Sequence, residues 1–438
     1  ILPKSSQYVI AILACWMAGK AFVPIGKDLP DTRKKYIEDA VATDLTITEG
    51  DFEDFLKSRP VDCVETVTAS TPAYIIFSSG TTGKPKGILV GHSGLVNLAR
   101  CQRKAFRIKE ISRNLFFLSL NFDASISDIL VTITSGAALV IETTEFVELS
   151  VNLLDVIEKR GITHADIPPS ILRVINADNS PKCLETIVVG GEVTDSATVR
   201  NWADKVNLVN VYGPTEATIC TSLCQCSKDW TVPVIGKELK GVTYHIYDNE
   251  TMNADDGELW ISGECLAIGY FKNEELTNEK FPIVDGIRFY RTSDHVKRNA
   301  DGSIVFVGRY DRQVKYHGQL VELEEIESVL KSLRFVRNAA VVKRTVSDSN
   351  CKEIIVAFVE VSDEIDTDGT TKDIKRTLRN HLPKWMIPGH VELLQQLPKA
   401  ASGKVDYSSL SVMELRTLAA RKEENYSSDK EEAVANIM

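Results

Sequence analysis

The chain is 438 residues long, 43% hydrophobic and 26% charged, with a formal net charge of −10 and nine cysteines. The acidic balance excludes a broad nucleic-acid surface, which needs a basic face. The longest apolar run, Val9 to Gly19, is too short to cross a bilayer and is expected to be a core helix. The length exceeds what one hydrophobic core sustains, so two or more lobes are expected. Scattered cysteines in odd number suit reduced thiols, which places the expected location in the cytoplasm. Cys220, Cys224 and Cys226 cluster, but without the second ligand pair of a zinc site.

In chain order, the apolar stretch Ala73 to Phe77 predicts a buried strand. It runs directly into Ser78-Ser79-Gly80-Thr81-Thr82-Gly83-Lys84-Pro85-Lys86-Gly87. Glycines let backbone N–H groups turn inward around an anion. The hydroxyls of Ser79, Thr81 and Thr82 add donors, and Lys84 and Lys86 add charge. This is a polyphosphate loop, although its spacing is not that of a Walker A motif. Strands and helices then alternate: Asn114–Leu120 strand, Ala124–Thr134 helix, Ala138–Ile141 strand, Leu153–Lys159 helix, Thr186–Val189 strand, Ser196–Lys205 helix, Leu208–Tyr212 strand. Such alternation predicts parallel sheets with crossover helices. From Val234 to Val307 short runs broken by Gly, Asp and Asn predict a small antiparallel sheet or barrel. Past Arg309, a helix over Glu322–Lys331, strands over Asn338–Lys343 and Ile354–Val361, and a helix over Thr371–Leu382 predict a compact α+β lobe of about 100 residues.

Further motifs stand in a fixed order: Phe122-Asp123-Ala124-Ser125; Asn210-Val211-Tyr212-Gly213-Pro214-Thr215-Glu216; Gly257-Glu258-Leu259-Trp260; Tyr290-Arg291-Thr292-Ser293-Asp294; Gly308-Arg309-Tyr310-Asp311-Arg312-Gln313-Val314-Lys315; Leu382-Pro383-Lys384-Trp385; and Ser402-Gly403-Lys404-Val405-Asp406. With the 78–87 loop, they closely resemble the adenylate-forming superfamily of acyl-CoA synthetases, luciferases and peptide-synthetase adenylation domains, over Ile1 to about Leu410. Within it, the chain looks most like a nonribosomal peptide synthetase adenylation domain lacking the family's first segment, with Glu431–Met438 similar to the start of a carrier-protein domain. The resemblance implies an α/β fold. A large N-terminal lobe (1–309) would hold parallel-sheet subdomains and a small β-barrel-like subdomain. A small mobile α+β lobe (310–410) would hinge at Asp311, with a linker and carrier start at 411–438.

The implied reaction is attack of an amino-acid carboxylate on the α-phosphorus of ATP, release of pyrophosphate, and transfer of the aminoacyl group to the phosphopantetheine thiol of a downstream carrier domain. Carried over by motif, Ser79, Gly80, Thr81, Thr82, Gly83, Lys84 and Lys86 would hold the β- and γ-phosphates. Thr215 would contact a phosphate, and Glu216 would bind Mg²⁺, a hard cation suited to carboxylate oxygens. Tyr212 would stack on adenine, Asp294 would accept the ribose hydroxyls, and Arg309 would support them. Lys404 would bridge substrate carboxylate and nucleotide where negative charge accumulates. Rotation about Asp311 would open a thiol tunnel near Gly318.

Asp123 would pair with the substrate ammonium; its alternative role is to cap the following helix. The side-chain pocket would be lined by Ala124, Ser127, Asp166, Val188, Gly190, Val211, Ile219 and Cys220, with Ala124 and Gly190 leaving depth. Asp166 is the only charge among these, which favours a cationic or strongly donating side chain such as lysine or ornithine. Were Asp166 to point to water or to Ser127, a small polar substrate would fit instead. Departures from the family pattern are Gly26 for Asp, Ile268 for Arg, Ser293 for Gly, His295 for Leu, His317 for Arg and Glu324 for Gly. Two other functions stay open: an acyl- or aryl-CoA ligase, and a lapsed scaffold that only binds nucleotide or partner.

Overall fold

The computed structural model describes residues 1–43, 45–58, 64–80, 84–142, 151–230, 233–252, 254–316, 319–346, 352–361, 367–399 and 404–415. Expectations for Thr81, Thr82, Gly83, His317, Gly318, Ser402, Gly403 and the tail from 416 on fall outside these residues. The chain divides into two compact units: 1–27, 44–77 and 86–311 form the first, and 28–43, 78–85 and 312–438 the second.

In the first unit, strands β1 (Pro72–Ser78) and β2 (Lys86–Gly91) flank the phosphate-loop sequence. The parallel strands are β3 (Arg113–Phe116), β4 (Ala138–Ile141), β5 (His164–Asp166), β6 (Thr186–Gly190) and β7 (Asn207–Tyr212). There follow β8 (Ser222–Gln225), β9 (Val234–Glu238), β10 (Val242–Tyr247), β11 (Asp256–Gly263), β12 (Gly269–Tyr270), β13 (Ile283–Val284), β14 (Ile287–Arg298) and β15 (Ile304–Arg309). One large sheet runs β10-β11-β14-β15-β9-β8-β7-β6-β5-β3-β4, and β13 pairs with β14 at its edge. Strands β7, β6, β5, β3 and β4 pair in parallel and the rest antiparallel. The order places the C-terminal ends of β5, β6 and β7 side by side, so Asp166, Gly190 and Tyr212 share one edge. Parallel strands bury both faces, as crossover helices demand. In β6, Ile187 and Val189 pack into one core, while Val188 faces another with Val131 and Val209. A second sheet, β1-β2-β12, lies under the Ser6–Met17 and His92–Phe106 helices, whose Ile12, Leu95 and Leu98 pack with Tyr74 and Ile88.

The second unit holds the hairpin β16 (Gln313–Tyr316) and β17 (Gln319–Glu322) and a sheet of β18 (Val336–Val346), β19 (Lys352–Val361) and β20 (His390–Leu394). Period-2 alternation splits β18. Ala339 and Val341 pack with Ile326 and Leu330 of the Leu323–Lys331 helix and with Ile374 and Leu378 of the Thr367–His381 helix. Ala340 and Val342 pack on the other side with Leu397 and Leu410. The Asp31–Val41 helix joins this unit through Arg33, whose Nη1 lies 2.7 Å from Glu325 Oε1 with both side chains buried.

Most expected elements are present within a residue or two. The strand expected over Asn114–Leu120 ends at Phe116, because Phe117 N bonds back to Leu115 O and the chain turns at Ser119–Phe122.

Candidate active site

The Ala124–Thr134 helix opens at Asp123, yet the Asp123 side chain makes no capping bond to it. It accepts instead from the Thr215 hydroxyl, and its buried Oδ2 has no hydrogen-bond partner among the described residues. Burial, together with the nearby Glu216 charge, pushes the Asp123 carboxyl up to about 6 against the opposing Thr215 bond. An orphaned carboxylate oxygen in a dry site is unstable without a donor or a cation.

Thr215 and Glu216 lie on a single 3₁₀ turn just past β7. Glu216 is only 3% exposed. It accepts from Tyr270 Oη at 2.8 Å, and Lys86 Nζ stands 3.5 Å from the same oxygen, 5.1 Å from the Tyr270 ring centroid. Sequence reasoning gives Tyr270 no role, because nothing in the Gly269-Tyr270 pair signals a partner 54 positions away. A magnesium ion fits this donor set. No group of three or more His, Cys, Asp and Glu gathers to cage a metal among the described residues. One buried carboxylate leaves the other positions to water and phosphate oxygens, as Mg²⁺ prefers.

Past this turn Thr218 and Ile219 both have left-handed backbones, with φ of 56° and 70°. Positive φ is costly for β-branched residues and marks a locally over-determined backbone. Thr218 is held by its hydroxyl on Cys265 O and by Gly94, where a Cβ would meet Thr218 Oγ1 at 2.4 Å. That conformation sets the direction of Ile219 and Cys220, both buried, with Cys220 Sγ on Ser222 O.

On the antiparallel side, Asp294 of β14 faces Arg309 of β15 across the ladder. Asp294, only 2% exposed, accepts from Tyr212 Oη and from Arg309 Nη1. Arg309 also reaches Asp311 with a bidentate fork, Nε to Oδ1 at 2.6 Å and Nη2 to Oδ2 at 2.7 Å. One guanidinium thus ties together the carboxylate expected at the ribose and the one expected at the hinge. Tyr212 meets this cluster through its hydroxyl, and its ring lies edge-on to Tyr244.

Among the expected pocket residues, Ser127 donates to Gln102 Oε1 at 2.7 Å, so its hydroxyl is turned away from Asp166. Asp166 ends β5 and pairs in register with Val188. Asp166 is partly exposed. Burial pushes its carboxyl up to about 7. At Gly190 a Cβ would meet Val211 Cγ2 at 2.4 Å and Val211 O at 2.8 Å, a constraint besides the depth expected of it. Ala124 and Val211 are half-buried beside it.

In the second unit, Ser79 donates to Leu320 O at 3.1 Å and accepts from Glu322 N at 3.2 Å. Gly80 is buried and Lys84 exposed. Lys404 is exposed, one residue before Val405, which bridges to Lys399. Two departures from the family pattern have partners of their own: Glu324 pairs with Arg312 at 3.1 Å, and His295 with Asp256 at 2.5 Å. Ser293 takes φ +60° where the family usually has Gly.

The fold and these residues define an adenylating ligase. The AMP-binding enzyme family matches residues 1–271, and the AMP-binding enzyme C-terminal domain matches residues 325–404. The chain belongs to this family, as a nonribosomal peptide synthetase adenylation domain of the adenylate-forming superfamily. It is similar to tyrocidine synthase 2 of Brevibacillus parabrevis, 33% identical over 433 residues that cover 94% of this chain but 12% of that protein. The chain thus spans a small part of the length of the large synthetases it matches. Dapdiamide synthesis protein DdaD of Enterobacter agglomerans is 31% identical over 422 residues, 93% of this chain and 72% of that protein. A solved NRPS protein containing adenylation and PCP domains, bound to a vinylsulfonamide inhibitor, superposes with a TM-score of 0.79 at 25% identity, covering 93% of this chain and 74% of that one. Among the described residues, no helix is long and apolar enough to cross a membrane.

Proposed function

We propose that this chain converts an amino acid to its aminoacyl-adenylate with ATP, releasing pyrophosphate, and passes the aminoacyl group to the phosphopantetheine thiol of a downstream carrier domain in nonribosomal peptide synthesis. The observation that carries this reading is Asp123: its side chain makes no N-cap bond, and its buried Oδ2 has no hydrogen-bond partner among the described residues. An α-ammonium supplies the missing charge and donors. A plain acyl or aryl acid supplies neither, which disfavours the CoA-ligase alternative.

Around it, Asp294 accepts the ribose hydroxyls on lone pairs left over from Tyr212 and Arg309, and Arg309 holds that carboxylate oriented. Tyr212 lies against the adenine. Glu216, oriented by Tyr270, holds Mg²⁺, which when bound neutralises phosphate charge. Thr215, Lys86, Lys84 and the 79–83 segment receive the phosphates. A substrate carboxylate oxygen bonds to the α-phosphorus as the bond to the pyrophosphate oxygen breaks, and Lys404 stabilises the accumulating negative charge. The large lobe (1–309) and small lobe (310–410) pivot at Asp311 between adenylation and thiol transfer, and 411–438 leads into the carrier. The side-chain pocket takes a cationic or polar side chain, with Asp166 as its charge. The setting proposed is the cytoplasm.

Amino-acid-dependent ATP–pyrophosphate exchange tests this reading on the full chain with a panel of free amino acids. Exchange is expected with a subset led by lysine- and ornithine-like members; exchange with fatty or aryl acids alone would overturn it.

A further inference from the structure

The Ala124–Thr134 helix carries one charged residue beyond those expected in the pocket. Ala124, Ser127 and Asp128 stand at i, i+3 and i+4, so Asp128 shares the face that Ala124 and Ser127 present. Asp128 is 6% exposed. Its Oδ1 accepts from Asn114 Nδ2 at 3.3 Å, and its Oδ2 is buried with no hydrogen-bond partner among the described residues. The neighbour that acts on it most strongly by charge is Asp166, the carboxylate at the end of β5. The cation acting on Asp128 is Lys4, just before the Ser6–Met17 helix, whose Nζ donates to Phe117 O at 2.6 Å and lies 5.3 Å from the Phe116 ring centroid. Cys220, on the segment after β7, faces Asp166 as a neutral thiol.

Two carboxylates with one ammonium beside them leave one negative charge uncompensated. A buried charge of that kind is retained only where protonation or a ligand neutralises it. Asp128 Oδ2 has no hydrogen-bond partner among the described residues and Asp166 is partly exposed, so the missing charge can come from outside. We propose that Asp128 and Asp166 together form the receptor for a second ammonium, the side-chain terminus of a lysine- or ornithine-like amino acid whose α-ammonium sits at Asp123. This rests on the amino-acid-activation reading and adds Asp128 as a specificity-determining residue.

The protonation linkage follows from the directions of the shifts. Burial, with each carboxylate opposing the other, raises both groups, Asp166 to about 7 and Asp128 well above its ordinary range. Free, the pair holds a proton near neutral pH; an arriving ammonium displaces it. The preference for a cationic side chain is therefore full above this range and fades as pH falls through about 7.

Isothermal titration calorimetry on the full chain tests this, comparing lysine and ornithine with norleucine and norvaline in two buffers of different ionisation enthalpy. The cationic pair is expected to bind about tenfold more tightly or better and to release more protons than the neutral pair; the Asp123 contribution is common to both and cancels. Asp128→Asn and Asp166→Asn should each erase the preference. Equal affinity for lysine and norleucine, no binding of lysine, or an Asp128→Asn variant that loses both equally with the preference intact would overturn the proposal. If Asp128→Asn does not fold, the excess proton release of the wild type decides, and its absence contradicts the pair. Pyrophosphate exchange on the same samples separates the two readings. Exchange with neutral amino acids only leaves activation standing and removes the acidic receptor. Preferential lysine binding without exchange does the reverse.

Discussion

Asp123 stands at the head of a helix and does not cap it, which separates its two possible roles at the scale of one side chain. Its carboxylate takes the Thr215 hydroxyl and, of the helix, only the first N–H, that of Ala124, so it leaves the N-cap role largely unfilled. Ser293 raises the opposite question, that of a residue in the wrong backbone. Its φ of +60° is the left-handed region, where any Cβ costs about 1 kcal/mol relative to glycine. Its N–H nevertheless bonds Glu258 Oε1 at 2.9 Å and its carbonyl accepts from Tyr310 N, so the turn that presents Asp294 is kept. Ser293→Gly should raise the thermal midpoint by about a degree or two without moving the Tyr212–Asp294–Arg309 cluster. A lowered midpoint in differential scanning calorimetry would show that the serine is not strained there.

At the scale of elements, the sharpest dependence is of the expected pocket wall on Gly94, a residue not itself among the expected pocket residues. Gly94, on the His92–Phe106 helix, leaves only enough room for Thr218, and Thr218 fixes the left-handed step that points Ile219 and Cys220. Gly94→Ala should therefore destabilise by about 1–3 kcal/mol, as overpacking does, and change amino-acid selectivity as well. Stability loss with unchanged selectivity in the exchange panel would break the link between the two. This link is not legible in the sequence, because a glycine in an amphipathic helix carries no sign of what it faces. The parallel strands are legible, since β-branched runs between helical periods have few alternatives. At Gly190 the structure adds a constraint that the motif does not show: its missing Cβ makes room for Val211 on the neighbouring strand, a consequence of register that only pairing reveals. Asp128 is hidden beside the motif position Ser127, although its i+4 spacing from Ala124 is there to be used.

For the whole molecule, the chain separates into two units whose boundary falls between Asp311 and Arg312. On either side of it stand ion-pair anchors of different kinds: Arg309 holds Asp294 and Asp311 in the first unit, and Arg312 holds Glu324 and Glu327 in the second. Such adjacent anchors suit the hinge proposed at Asp311. Of the residues expected to bind nucleotide, Lys86, Tyr212, Thr215, Glu216, Asp294 and Arg309 lie in the first unit, whereas Ser79, Gly80, Lys84 and Lys404 lie in the second, so the proposed chemistry requires both. Lys404→Ala should cut adenylation by at least about a hundredfold, as loss of one preorganised charge does, while leaving nucleotide affinity, measured by fluorescent-nucleotide titration, within about threefold. Unchanged adenylation would remove Lys404 from the reaction.

Both the proposed activity and the proposed side-chain receptor depend on Asp123 selecting an ammonium. Its most direct test is pyrophosphate exchange by the full chain with the best amino acid of the panel set against the same acid lacking only the α-amino group, in the wild type and in Asp123→Ala. Exchange is expected with the amino acid, with a drop of about a hundredfold or more for the desamino acid and no discrimination between the two in the variant. Equal exchange with both acids in the wild type would contradict that selection.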